Sequence, residues 1–163
     1  MNHLKNKALM IFMPIVLICL FGCTTHTKVE TSQTSEFEKD LRSQYKEIKK
    51  IIIQYAPTQI QIIYYMENVK DDTESERIFR QTKALIQSKK FQDEVIQGSY
   101  FKKYPQADDW EYPHISVNFD VNNDGEFDFE YSSLNNKQEN NQENVQYAVW
   151  YYWDYKSTPV PLP

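Results

Sequence analysis

Asp120, Asn122, Asp124, Gly125, Glu126 and Asp128 follow one another in the pattern D-x-N-x-D-G-x-x-D. Side-chain oxygens at positions 1, 3 and 5 of a tight loop can converge on one point. The backbone carbonyl at position 7 adds another oxygen, and position 9 adds a carboxylate or a water. Glycine at position 6 permits the sharp turn. Calcium is a hard cation that takes about 6–8 oxygen ligands. The spacing therefore predicts a calcium site built from Asp120, Asn122, Asp124, the Glu126 carbonyl and Asp128. The same Asn-Asp-Gly stretch can also close a hairpin with no ion.

Position 12 of this loop is Tyr131, where a helix-flanked calcium loop has a bidentate Glu. The flanking residues read as strands. The loop resembles the calcium loops set between strands in secreted β-rich domains, and the resemblance implies a structural ion. Without the bidentate Glu, the expected affinity is weak, roughly 10⁻⁴–10⁻³ M, as in extracellular modules.

The N-terminus carries chemistry of another kind. Lys5 and Lys7 precede an uncharged, apolar run over residues 8–21 that contains Pro14. A membrane-spanning helix needs about 20 apolar residues, so this run fits the apolar region of a secretory signal. It ends in Leu20-Phe21-Gly22-Cys23. That sequence resembles the lipobox of bacterial lipoprotein precursors, with Phe21 departing from the usual small residue. The resemblance implies cleavage before Cys23, diacylglycerylation of its thiol, and anchoring at the extracytoplasmic face of the cell membrane. The expected organisation is a signal peptide at 1–22, a lipidated flexible tether at 23–34, and one domain at 35–163. Cys19 falls in the removed segment, so the mature chain has no second cysteine for a disulfide or a cysteine-based metal site.

Catalytic residues are sparse. The expected mature chain has His26 in the tether and His114 in the domain, too few for a multi-histidine zinc site. A nucleophilic arrangement would need His114 with Ser116 or Ser132, and nothing around His114 resembles a nucleophile elbow. Paired carboxylates are abundant, but 3 glycines in 163 residues offer little loop material for a substrate cleft. The same scarcity, against an average of about 7%, excludes glycine-rich phosphate loops. The reading is non-enzymatic.

The elements that must position these residues follow from periodicity. Phe37, Leu41, Tyr45, Ile48, Ile52 and Tyr55 recur at helical spacing and predict a helix over 36–55, capped by Ser35 and stopped by Pro57. Ile60, Ile62, Tyr64 and Met66 alternate and predict a strand. A second helix opens at 71–73, with Thr73 and Glu76 spaced as a capping box and a stripe of Ile78, Phe79, Thr82, Leu85 and Ile86. A shorter helix at 89–97 is expected to end at Gly98. Three more strands are expected around Ile115–Val117–Phe119, Phe127–Phe129–Tyr131 and 145–153, the last two separated by a polar, mobile loop at 135–144. The fold class is α+β: an antiparallel sheet of about four strands with two or three helices packed on one face.

Charge is divided unevenly. Residues 35–103 carry 13 Lys+Arg against 11 Asp+Glu, net +2, whereas residues 104–163 carry 2 against 11, net −9. Such a field disfavours nucleic acid and favours cations or a basic protein partner. Alternation along Trp150-Tyr151-Tyr152-Trp153-Asp154-Tyr155 puts Tyr151, Trp153 and Tyr155 on one face and Trp150, Tyr152 and Asp154 on the other. Trp150 and Tyr152, with Asp108, Asp109 and Glu111, are the expected partner-binding residues; a covered second face would make the aromatics core instead. The function expected is a lipid-anchored surface protein that binds another protein through an acidic aromatic sheet face. An immunity-type lipoprotein that neutralises a toxin, and a glycan- or solute-binding lipoprotein, are the alternatives.

Overall fold

The structure is a computed structural model, described here for residues 25–67, 69, 72–105, 112–134 and 146–163. The signal segment, Cys23 and the loop at 135–144 lie outside the described residues.

Strand β1 (Thr27–Lys28) is followed by helix α1 (Ser32–Gln44), then by strands β2 (Ile48–Ala56) and β3 (Gln59–Met66). Next come helix α2 (Asp72–Gln87), the one-turn helix α3 (Lys89–Phe91), a π-helix (Gln92–Tyr100) and the short α4 (Phe101–Lys103). Strands β4 (His114–Asp120), β5 (Phe129–Ser133), β6 (Tyr151–Trp153) and β7 (Val160–Pro161) complete the chain. The α+β class is as expected, but the sheet has seven strands in sequential order, not about four. Nor is it wholly antiparallel. β3 and β4 run parallel, with Ile62 opposite Val117. A parallel pair needs a long crossover, and the helical segment from α2 to α4 supplies it.

Several local expectations change. The predicted helix over 36–55 ends at Gln44, and its second half is strand β2. Ile51, Ile52 and Ile53 are three consecutive β-branched residues, stiff at χ1 and suited to a pleated surface. Pairing with β3 then selects the strand. The helix also begins earlier, with Thr31 as N-cap: Thr34 N–H donates to Thr31 Oγ1 at 3.2 Å, and Thr31 N–H donates to Thr34 Oγ1 at 2.9 Å. Thr27 and Lys28 pair with Tyr55 and Gln54, and Val29 is in the core. Part of the expected tether therefore belongs to the folded unit. In α2, Thr73 lies inside the helix, one residue past its start at Asp72, and Glu76 bonds Arg80. Gly98 sits within the π-helix, where a Cβ would come 3.1 Å from the Asp93 carbonyl oxygen. It is kept by close approach, not by a helix end.

The helices cover one sheet face. Ile51, Ile53 and Tyr55 of β2 align with Tyr64, Ile62 and Ile60 of β3, and these with Phe119, Val117 and Ile115 of β4. Tyr131 and Phe129 of β5 and Tyr152 of β6 continue the same face. The α2 stripe of Ile78, Phe79, Thr82, Leu85 and Ile86 is buried on it as expected. Tyr64 Oη and Thr82 Oγ1 lie 2.6 Å apart, and Thr82 Oγ1 donates to the Ile78 carbonyl, so the buried Tyr64 hydroxyl donates to Thr82. Phe91, Val95, Ile96 and Tyr100 close the core towards β2, where Tyr100 meets Tyr55 edge-on at 6.0 Å.

Candidate functional site

Strand β4 delivers Asp120 to the end of the sheet, and β5 begins at Phe129, so residues 121–128 form the connection between them. Asp128 clamps its base: its N–H donates to the Phe119 carbonyl at 2.8 Å, and its Oδ2 accepts from Val121 N–H at 2.8 Å. Asp120 is 0% exposed. Its Oδ1 accepts from Asp124 N–H at 3.2 Å and its Oδ2 from Gly125 N–H at 2.9 Å. Asn122 Oδ1 accepts from Asp124 N–H, and Asp124 Oδ1 accepts from Glu126 N–H, each at 2.9 Å. Asn123 and Gly125 take positive φ, 58° and 94°. The proposed ligands thus lie on one tight loop between strands. In this arrangement Asp124 Oδ2 accepts from the Asn122 amide at 2.9 Å. Among the described residues, no three His, Cys, Asp or Glu side chains converge closely enough to hold a metal. The donor set is all oxygen and fits a hard cation in chemistry; its convergence would require Asn122 and Asp124 to turn from each other.

The aromatic strand is inverted relative to expectation. Trp150 is 1% exposed. Its ring meets Phe79 of α2 edge-on at 5.1 Å, and its Nε1–H donates to the Tyr147 carbonyl at 2.8 Å. Tyr152 is half-buried on the same helix-covered side, against Phe129 and Tyr131. Trp150 is therefore core and does not face a partner. The cause is register: Tyr152 stands opposite Tyr131, whose ring stacks on Phe79, so this parity of the strand must face the helices. Asp108, Asp109 and Glu111 lie outside the described residues.

The other parity forms the face away from the helices, which is buried at β4, where Ser116 and Asn118 are each 2% exposed, and partly exposed at β5 and β6. Tyr151 and Trp153 of β6 stand opposite Ser132 and Glu130 of β5, which in turn oppose Ser116 and Asn118 of β4. Trp153 and Tyr155 pack at 4.5 Å, and the Tyr155 hydroxyl donates to Glu130 Oε2 at 3.3 Å. Burial raises the Glu130 carboxyl above the usual range, opposed by hydrogen bonds from Tyr155 and Ser132. Burial, with the Glu130 charge beside it, raises the Tyr155 phenol. The Asn118 amide donates to Ser116 Oγ at 3.0 Å. Register also brings His114, Ser116 and Ser132 to this face. Among the described residues, however, no hydrogen bond joins the His114 ring to either serine. Burial depresses His114 below the usual imidazole range.

A second feature lies on the helix side and was not foreseen. At the edge where α2 stops covering the sheet, a groove of about 560 Å³ opens. Its floor is Phe129, Tyr131 and Tyr152; its far wall is Val160, Leu162 and Pro163; and α2 supplies Phe79, Glu76, Arg80 and Lys83. The tail forms that wall because β7 pairs with β6 and Leu162 N–H donates to the Trp150 carbonyl at 2.8 Å. The only signal for it in the sequence was the Tyr152 parity, since the tail's return to β6 is a long-range event.

Compared with protein-family models, with curated proteins and with solved structures, the chain finds no significant match.

Proposed function

We propose that this chain is a lipid-anchored, non-enzymatic protein of the extracytoplasmic membrane face that binds a basic protein through the partly exposed β5–β6 end of the sheet face away from the helices. One observation carries the reading: the helices gather on one face, and the other presents Tyr151, Trp153 and Tyr155 beside Glu130. Tyr and Trp supply rigid contact area with a polar handle, which is why they anchor interfaces. The carboxylate, in a C-terminal stretch (104–163) of net charge −9, supplies the complementary field for a cationic partner. The lipobox-like Leu20-Phe21-Gly22-Cys23 supports the anchor. An immunity-type role against a secreted toxin is a specific form of this reading.

A weak calcium ion in the 120–128 loop belongs to the same reading, with a structural role. What supports it is Asp120. Its carboxylate is buried, and among the described residues no cationic side chain pairs with it. An unpaired buried charge is costly, and two backbone N–H bonds leave lone pairs available to a cation.

The test is crosslinking at the cell surface, followed by affinity measurements on the captured protein. The expected partner is basic, binds more weakly at high salt, and loses affinity with Trp153→Ala and Glu130→Gln. A captured glycan, or affinity indifferent to salt and to both substitutions, would overturn the reading.

A further inference from the structure

The groove between α2 and the C-terminal tail is on the opposite side of the sheet from the proposed partner face, and its chemistry is different. Its volume, about 560 Å³, falls within the range of small-molecule sites, roughly 300–1,000 Å³. Four aromatic rings line it, with Leu162 and Val160 across from them. Phe79 and Tyr131 are stacked at 3.9 Å, so the floor is pre-formed and not assembled by the ligand.

The rim decides the ligand's charge. Arg80 and Lys83 both line the groove from α2, three residues apart. Arg80 is engaged by Glu76, with Nη2 2.5 Å from Oε1. Lys83 has no such carboxylate among the described residues. It is half-buried, and its pKa is lowered by loss of hydration and by the neighbouring Arg80 charge. A partly desolvated ammonium at the mouth of an apolar volume gains most from an anion delivered on an apolar body, which restores the missing counter-charge and fills the volume at once.

We propose that this groove binds a small amphipathic carboxylate, a medium-chain fatty acid anion, with its chain along Phe129, Tyr131 and Tyr152 and its carboxylate at Lys83. The tail wall is held by the two-residue pairing of β7 and one backbone bond at Leu162, so it can adjust to chain length with little loss of sheet. A protein segment fits the site less well, because β7, the sheet edge beside the groove, has only two residues and one of them, Pro161, has no N–H to donate.

The test uses the full chain held in lipid nanodiscs, with empty nanodiscs as the blank, and calorimetric titration with octanoate, octanol and octylammonium. Octanoate is expected to bind more tightly than octanol, and octylammonium least. Lys83→Met keeps most of the apolar stem and removes the charge. It should weaken octanoate about tenfold and leave octanol unchanged. Equal affinity of wild-type protein for octanoate and octanol, tighter octylammonium binding, or no octanoate heat above the blank would each overturn the proposal. So would an unchanged octanoate affinity in a folded Lys83→Met variant. The three-ligand comparison on wild-type protein decides the matter even if that variant fails to fold. Binding that survives Trp153→Ala, on the other sheet face, would support the assignment to the groove.

Discussion

Phe79 of α2 lies flat on Tyr131 of β5, with ring centroids 3.9 Å apart and planes 11° from parallel. The same Phe79 ring receives Trp150 edge-on. One helix residue thus fixes β5 and the segment leading into β6, and with them the parity of the aromatic strand. Phe79→Ala removes both contacts and leaves a cavity, and is expected to cost about 3–5 kcal/mol. Urea unfolding monitored by tryptophan fluorescence checks the value; a loss under about 1 kcal/mol would mean that the helix does not organise this end of the sheet.

The 120–128 loop gives a prediction with an internal control. Gly125 has φ +94° and open space where a Cβ would lie, so Gly125→Ala is penalised by backbone conformation alone. The cost is expected to be about 1–2 kcal/mol. Millimolar calcium should raise the melting temperature of the wild-type protein, and Asp120→Asn should abolish the rise. An unchanged wild-type melting temperature at 10 mM calcium, a concentration roughly ten or more times the expected dissociation constant, would leave the loop as a hairpin turn without an ion.

His114 sets a pH dependence. Burial disfavours the imidazolium in the folded state, so the folded pKa is lowered while the unfolded chain titrates at about 6.5. Between those two values the unfolded state binds more protons, and stability must rise with pH. The His114 contribution is therefore fully present above about pH 6.5 and is lost as pH falls through the lowered folded value. Comparing urea midpoints at pH 7.5 and 5.5, His114→Gln should gain on the wild-type protein at the lower pH. A difference that does not change with pH would contradict the assignment.

Anchoring is tested at Cys23. Cys23→Ala removes the thiol that the lipobox-like sequence would present for acylation. The expected result is release of the protein from the membrane fraction or accumulation of the uncleaved precursor. Metabolic labelling with a fatty acid should fail in the same variant. Membrane retention of a cleaved, unlabelled form would argue for a different attachment.

Some of this molecule was legible residue by residue. The α2 stripe, strand β3 and strand β4 follow from spacing alone, because burial on a single face imposes periods of 3.6 and 2 on the residues themselves. The loop joining β4 and β5 was legible for the same reason, since its turn is made of local hydrogen bonds among residues at most nine positions apart. The lipobox-like Leu20-Phe21-Gly22-Cys23 is likewise a local, linear pattern.

What the tertiary structure decided was pairing. Residues 48–56 satisfy a helical stripe and a strand alternation equally well, and only the partnership with β3 chose the strand. Alternation divided Trp150 and Tyr152 from Tyr151 and Trp153, but no local property says which set faces the helices. Phe79, more than 70 residues earlier in the chain, made that choice through Trp150 and Tyr131. The groove arose from the same kind of event, the return of the tail at Leu162 to the backbone of Trp150. Local energetics fix periods and turns; side assignment and cavities are fixed by contacts between residues far apart in sequence, whose free energy exists only once the chain has closed on itself.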